Sequence, residues 1–279
     1  MAYEGYTCLD VRVDRGVAFA TIDHPPINLL DLALIQELDR LGRELAADTA
    51  VRAVVLQSAN PDFFIAHADV TLIQMLPRDV PKATELGLFH QMVERFRTMP
   101  KATIGKIEGR ARGGGSELLL SLDMRFAAIG RAILAQPEVA LGIIPGGSGT
   151  QRLPRLMGRA RALEIILGCE DIPAELAERY GYINRALPAA ELTPFVERLA
   201  YRIASFPAAA IALAKASVDA AERLTADGLL EEAHFFNQSL ATSEAQERMA
   251  AFMQMGGQTP EVELRLTDDL HLLFGKSPV

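Results

Sequence analysis

An α/β core followed by an all-helical region is the fold class this chain predicts, on three observations. Short apolar runs alternate with amphipathic helical segments over 9–187. Two strand-to-helix junctions are built from small residues, one at Ala66-His67-Ala68-Asp69 and one ending in Gly113-Gly114-Gly115. After Phe206-Pro207 the strand-like runs stop and the pattern becomes wholly helical, which suggests a core with a helical appendage. The expected division is 1–205 for the core and 206–279 for the helical region and tail.

The elements follow in order. Residues 9–13 and 17–22 alternate or run apolar around Asp14-Arg15-Gly16, a hairpin signal. His24-Pro25-Pro26 stops the second strand, because proline has no N–H to give a ladder. Leu34, Ile35, Leu38, Leu41 and Leu45 recur at helical spacing and predict a helix over 32–45. Val54-Val55-Leu56 reads as a buried strand within 51–57, and Asn60-Pro61-Asp62 as a turn. A short apolar stretch from Phe63 then leads into a helix over 70–75, with a longer helix over 86–98 closed by Pro100. Residues 102–107 form a strand, and the helix after the glycines is expected over 117–122. Short strands at 124–128 and 132–135 flank Gly130. A loop over 143–150 precedes helices at 151–157 and 160–167. A short helix at 173–180, a strand at 183–187 and helix from Leu192 complete the core. Three helices are expected at 208–224, 228–240 and 243–255. In the tail, Gly256-Gly257 and Pro260 break the last helix, and Val262, Leu264 and Leu266 alternate weakly.

Composition narrows the function classes. The chain has 279 residues, with 49% apolar and 23% charged, ordinary globular values. A net charge of −8 argues against a general nucleic-acid or anionic-membrane partner. Cys8 and Cys169 are too few for a disulfide framework, and a reducing compartment fits. No apolar run approaches a membrane span, and residues 1–10 lack the order of a signal or transit peptide. A soluble, cytoplasmic protein is the expectation.

The chemistry concentrates in Gly109-Arg110-Ala111-Arg112-Gly113-Gly114-Gly115-Ser116-Glu117. Glycines allow close backbone approach to a ligand. The first turn of a helix carries unpaired N–H donors and a partial positive charge. Together they can stabilise a developing oxyanion, with Glu117 beside it. Gly146-Gly147-Ser148-Gly149 is a second glycine-rich loop, but no lysine follows at phosphate-loop spacing.

With these pieces placed, the chain resembles the crotonase superfamily, and within it the enoyl-CoA hydratases. The resemblance covers nearly everything up to Met255. It rests on Asp23-His24-Pro25-Pro26-Ile27-Asn28, Ala66-His67-Ala68-Asp69, the glycine run to Glu117, and Asp123-Met124-Arg125. It continues with Gln136-Pro137-Glu138, Leu141-Gly142-Ile143-Ile144-Pro145-Gly146 and Gly149-Thr150-Gln151-Arg152-Leu153. Each motif is weak alone; their order and spacing are specific.

The resemblance implies a spiral of ββα turns whose C-terminal helices assemble trimers, often paired into hexamers. It implies an acyl-CoA thioester substrate and no separate cofactor or metal, coenzyme A being part of the substrate. The thioester carbonyl is expected between two backbone N–H groups, assigned by position to Ala66 and Gly114. Glu117 and Glu138 match the two glutamates that flank the acyl α,β-carbons, the first mainly activating water and the second mainly protonating C2. Adding water passes through an enolate-like state, so a paired acid and base with two preorganised donors fits the reaction. His67, Ala68, Asp69, Arg112, Gly113, Pro137 and Gly146 are the further residues expected to bind substrate.

Several positions depart from the family pattern. His67 stands where glycine is usual, and Arg112 where relatives often carry an apolar residue. A guanidinium beside an oxyanion loop could bind a carboxylated acyl group or a coenzyme A phosphate, or instead turn to solvent or pair with an acid at an interface. Thr71 and Gln254-Met255-Gly256-Gly257 replace basic residues expected near the coenzyme A phosphates. The tail to Val279 is expected either to cover a neighbouring subunit or to be a mobile terminus. The rival readings are isomerase, hydrolase or other enolate chemistry on an unusual acyl-CoA, and a non-catalytic acyl-CoA-binding protein.

Overall fold

The computed structural model describes residues 3–77, 80–221 and 226–266. Strands β1 (Leu9–Asp14) and β2 (Val17–Ile22) form the expected antiparallel hairpin. Helix α1 (Leu32–Ala47) starts at Asp31, whose carboxylate accepts the Leu34 N–H at 2.9 Å. A repeated unit follows, two strands and then helix. β3 (Ala53–Ser58) and β4 (Phe63–Ile65) lead to α2 (Val70–Gln74) and α3 (Leu88–Thr98). β5 (Ala102–Ile107) and β6 (Arg110–Arg112) lead to α4 (Gly114–Leu120). β7 (Met124–Ala128) and β8 (Ile133–Ala135) lead to a 3₁₀ turn (Glu138–Leu141), α5 (Gly149–Met157) and α6 (Arg159–Gly168). β9 (Ile172–Pro173), α7 (Ala174–Tyr180), β10 (Arg185–Leu187) and α8 (Ala189–Ala204) come next. The remaining helices are α9 (Ala208–Ala221), α10 (Ala226–Leu240), α11 (Ser243–Gln254) and α12 (Pro260–Glu263).

Each repeat sends its first strand to a six-stranded sheet, β1-β2-β3-β5-β7-β10, and its second to a four-stranded sheet, β4-β6-β8-β9. This is the ββα spiral that the sequence resemblance implies. Apart from β1 against β2 and β8 against β9, all pairings are parallel. Parallel sheets are covered on both faces, and the strand composition shows it. Val17 and Phe19 of β2, with Ala53 and Val55 of β3, pack under α8. Their alternate neighbours Ala18, Ala20, Ile22, Val54 and Leu56 enter the main core with α1, α3 and α4.

One expectation is corrected and one open stretch is resolved. Helix α4 starts at Gly114 rather than at Glu117, because 110–112 pair as a strand with β4 and β8 and Gly113 makes the turn alone. The stretch 262–266, where the sequence shows only a weak alternation, continues as a helical turn. Pro260 at the start of α12 opens a helical turn that buries Val262, Glu263 and Leu266. Residues 267–279, the rest of the expected tail, lie outside the described residues, as do 222–225 of the expected 208–224 helix.

Candidate active site

Strand β6 ends at Gly113, whose φ of +50° places it in the left-handed region that favours glycine. The Glu117 N–H donates to the Gly113 carbonyl at 2.9 Å, so that carbonyl points along α4. A trans peptide sets the next N–H opposite. The Gly114 N–H therefore faces out of the helix start, with no partner among the described residues. A Cβ at Gly114 would lie 2.9 Å from Leu30 Cδ2 and 3.3 Å from Ala68 Cβ, so glycine is what lets two loops close on each other.

The second loop is tied down from the N-terminal side. Asn28 donates through Nδ2 to the carbonyls of Phe63 and Phe64 at 3.2 and 3.1 Å. The Leu30 N–H donates to the His67 carbonyl at 3.0 Å, and the Asp69 N–H to the Leu30 carbonyl at 3.1 Å. With the His67 carbonyl held on one side, the Ala68 N–H projects to the other and has no partner among the described residues. The assignment of Ala66 as a thioester donor is overturned here. Its N–H is occupied by the Ile27 carbonyl at 3.2 Å, and the residue is fully buried with Ile27 and Phe63. Ala68 and Gly114 each offer an N–H with no partner among the described residues, and both line one cavity.

Glu117 lies in the first turn of α4, and its Oε1 accepts from the N–H groups of Gly147 and Gly149 at 2.7 and 2.8 Å. Burial pushes its pKa well above the ordinary carboxylate range, and the charges of Glu138 and Glu232 add to the rise. The two glycine N–H groups oppose it. Glu138 opens the 3₁₀ turn after Pro137, with an Oε2 that is shielded from solvent and unpartnered. Burial pushes its pKa up to about 8, its own N–H and the charge of His67 work against that, and Glu232 adds to it.

Glu232 was not anticipated from the sequence. It sits on α10, 1% exposed, and accepts the Ser148 N–H at 2.5 Å, the Thr150 N–H at 2.9 Å and the Thr150 hydroxyl. His90 Nε2 of α3 stands 3.3 Å from its Oε1. The loop whose N–H groups hold Glu117 is thus itself held by a third carboxylate. A signal was present: Glu232 falls on the helical stripe of Leu229, Phe236 and Leu240, and a carboxylate in an apolar stripe requires buried donors.

One cavity of about 450 Å³ joins these groups. Ala68, Gly114, Glu117 and Glu138 all line it, with Asp69 and Gly146 among the expected residues. Apolar side chains such as Leu30, Leu72, Phe89, Ile143 and Phe236 make up most of the wall, which contains no lysine or arginine among the described residues. Asp69 also caps α2, accepting the Thr71 N–H at 2.8 Å. Gly113 backs Glu138, since a Cβ there would fall 2.6 Å from Glu138 Oε1.

Three expected substrate contacts are corrected. Arg112 is fully buried, pairs with both carboxylate oxygens of Asp171 at 2.8 and 2.7 Å, and donates to the Glu263 carbonyl at 2.7 Å. Its charge is consumed within the protein and it is not in the cavity wall. His67 turns away from the cavity to Glu263, 2.9 Å from Nε2. Pro137 lines instead a small adjoining void with His67 and Phe252, on the other side of Ala68 and Glu138, which line both spaces. Among the described residues, no three or more His, Cys, Asp or Glu side chains gather into a metal-holding group.

The arrangement has relatives. The family described as enoyl-CoA hydratase/isomerase matches residues 12–258. The short-chain-enoyl-CoA hydratase of Clostridium acetobutylicum is 32% identical over 85% of this chain and 91% of its own length. The crotonyl-CoA hydratase of Syntrophomonas wolfei is 34% identical over 91% and 96%. A crystal structure from Streptomyces avermitilis, of a protein provisionally named an enoyl-CoA hydratase, superposes with a TM-score of 0.90 at 38% identity, covering 98% of this chain and all of that one. A match of this length, on a chain that brings two loop N–H groups, the buried Glu117 and the half-buried Glu138 to one cavity, places it in a family of enzymes: the chain belongs to the enoyl-CoA hydratase/isomerase family.

Proposed function

We propose that this protein hydrates trans-2-enoyl-CoA thioesters to 3-hydroxyacyl-CoA. The observation that carries the reading is a single, mostly apolar cavity lined by Ala68, Gly114, Glu117 and Glu138 together. The thioester oxygen accepts from the Ala68 and Gly114 N–H groups, which stabilise the negative charge of an enolate; one such donor is worth roughly 3–4 kcal/mol in the barrier. Glu117, whose Oε1 is oriented by two N–H groups that oppose the rise burial imposes on its pKa, and which is relieved of the Glu138 charge while Glu138 holds its proton, takes a proton from water as the oxygen adds to C3. Glu138, with a pKa of about 8, starts protonated at neutral pH and delivers its proton to C2. Proton exchange with solvent then restores the pair.

The names of the relatives and the apolar wall support an uncharged aliphatic acyl group. Arg112 gives no support to a carboxylated one, because Asp171 and Glu263 engage it. Assembly as a trimer or a dimer of trimers through 206–279 belongs to the same proposal, supported by the exposed Leu213, Val218 and Phe235 on the outer helices.

Loss of enoyl absorbance with crotonyl-CoA and longer enoyl-CoAs tests the reading. The wild type hydrates at least one of them, and Glu117→Gln and Glu138→Gln each lower kcat/KM by about 10²–10⁴-fold. A folded wild type that binds but hydrates none of the panel sinks it.

A further inference from the structure

The C-terminal segment reaches both loops of the site, which the chemistry above does not require. Gln258 accepts the Val70 N–H through Oε1 at 2.6 Å and donates through Nε2 to Asp69 Oδ1 at 3.1 Å. From β6, Arg112 donates to the Glu263 carbonyl at 2.7 Å and Arg110 to the Leu264 carbonyl at 3.0 Å. One short stretch therefore grips the loop before α2 and the strand before Gly113. Between these grips stands His67.

The protonation state of His67 follows from its partners. Nδ1 lies 2.9 Å from the Ala68 carbonyl, which can only accept, so Nδ1 carries a proton. Nε2 lies 2.9 Å from Glu263 Oε1, which also accepts the Gln258 N–H at 2.8 Å, as an ionised carboxylate does. With the Glu263 pKa lowered, despite burial, by the neighbouring cations and the Gln258 N–H, the state that fits these contacts has a proton on Nε2 as well, an imidazolium facing a carboxylate. Burial alone would push its pKa down, but the charge and hydrogen bond of Glu263 outweigh it, and the net direction is up. The charged groups around it are Glu263, Arg112 and Glu138, and the Phe252 ring packs edge-on at 5.8 Å.

We propose that His67 and Glu263 are positioning residues: held by the C-terminal segment, the pair fixes the Ala68 carbonyl, in the peptide next after the one that carries the donor N–H, and sets a buried positive charge beside Glu138. Buried ion pairs seldom add net stability, because desolvation offsets the attraction. Their worth lies in fixed orientation, and a charge fixed before reaction costs no reorganisation when the enolate forms. The catalytic consequence rests on the hydration reading; the protonation state does not.

Two measurements on the full-length protein test it. In the ¹⁵N-histidine-labelled wild type, both His67 ring nitrogens carry protons at pH 8; a neutral ring there overturns the proposal. In crotonyl-CoA hydration, His67→Gln and Glu263→Gln lower kcat by about tenfold with little change in KM, less than the loss of a direct donor. Their alkaline limb moves to higher pH, because Glu138 loses the cation that eases its ionisation, and Glu263→Asp recovers most of the rate. Folded variants with wild-type kcat and an unmoved limb overturn it. If either variant fails to fold, the labelled wild type still decides. A wild type without hydratase activity defeats the functional reading and leaves the imidazolium test standing.

Discussion

Glu138 illustrates what a single residue contributes and what it costs. Its pKa moves from 4.5 to about 8 on folding, chiefly through burial. Between those values the folded state binds more protons than the unfolded one. The stabilisation is therefore fully present below about pH 4.5 and is lost as pH rises through about 8. Removing the ionisable group should remove that loss. Thermal unfolding across pH 5–8 is expected to show a falling midpoint for the wild type and a flatter curve for Glu138→Gln, with the variant the more stable at pH 8 and nearly inactive. Glu117 and Asp123, whose pKa values are also raised, keep some slope in the variant. Parallel curves for the two proteins would count against the burial of Glu138.

At the scale of elements, α10 lines the cavity through Phe236 and supports the chemistry from behind through Glu232, which is not in the wall. Its Glu232 holds the N–H groups of Ser148 and Thr150, and that loop holds Glu117 through Gly147 and Gly149. Glu232→Gln removes a buried charge from four donors, counting the Thr150 hydroxyl and His90. The expected loss is about 3 kcal/mol of unfolding free energy, read by denaturant titration. A fall in kcat accompanies it, because Glu117 loses its preset orientation. The alkaline limb shifts to lower pH, since Glu232 pushes Glu138 upward. That direction is opposite to the one expected at His67, so the two variants together separate electrostatics from general loosening. A variant that is less stable but has an unmoved limb would reduce Glu232 to a packing role.

Across the whole molecule, the spiral brings distant pieces of chain to one buried charge. Arg112 joins β6 to Asp171 before β9 and to Glu263 of α12. Such a three-way joint serves the assembly of the fold and not substrate choice. Arg112→Met is expected to lower stability by about 3–5 kcal/mol by leaving Asp171 unpaired. It should leave the ratio of kcat/KM for uncharged and carboxylated enoyl-CoAs unchanged. A selective collapse with the carboxylated substrate would make Arg112 a substrate contact and refute this assignment.

The sequence by itself determined the alternation of strand-like and helical segments over 9–187, the hairpin at 9–22 and the two glutamates that the structure brings to one cavity. These are local or ordered features: apolar periodicity names the buried faces, and motif order names the residues at each strand end. The strand-strand-helix repeat entered only through the family resemblance, because Arg110-Ala111-Arg112 carries no strand signal of its own. Tertiary structure alone decided which N–H groups are free. Ala66 and Ala68 are the same residue two positions apart in one loop, and only pairing with Ile27 and Leu30 separates the engaged donor from the open one. It also decided the fates of His67 and Arg112, because Glu263 stands 196 and 151 positions beyond them. A local pattern states what a side chain can donate or accept; its partner is set by which distant segments the core brings into contact.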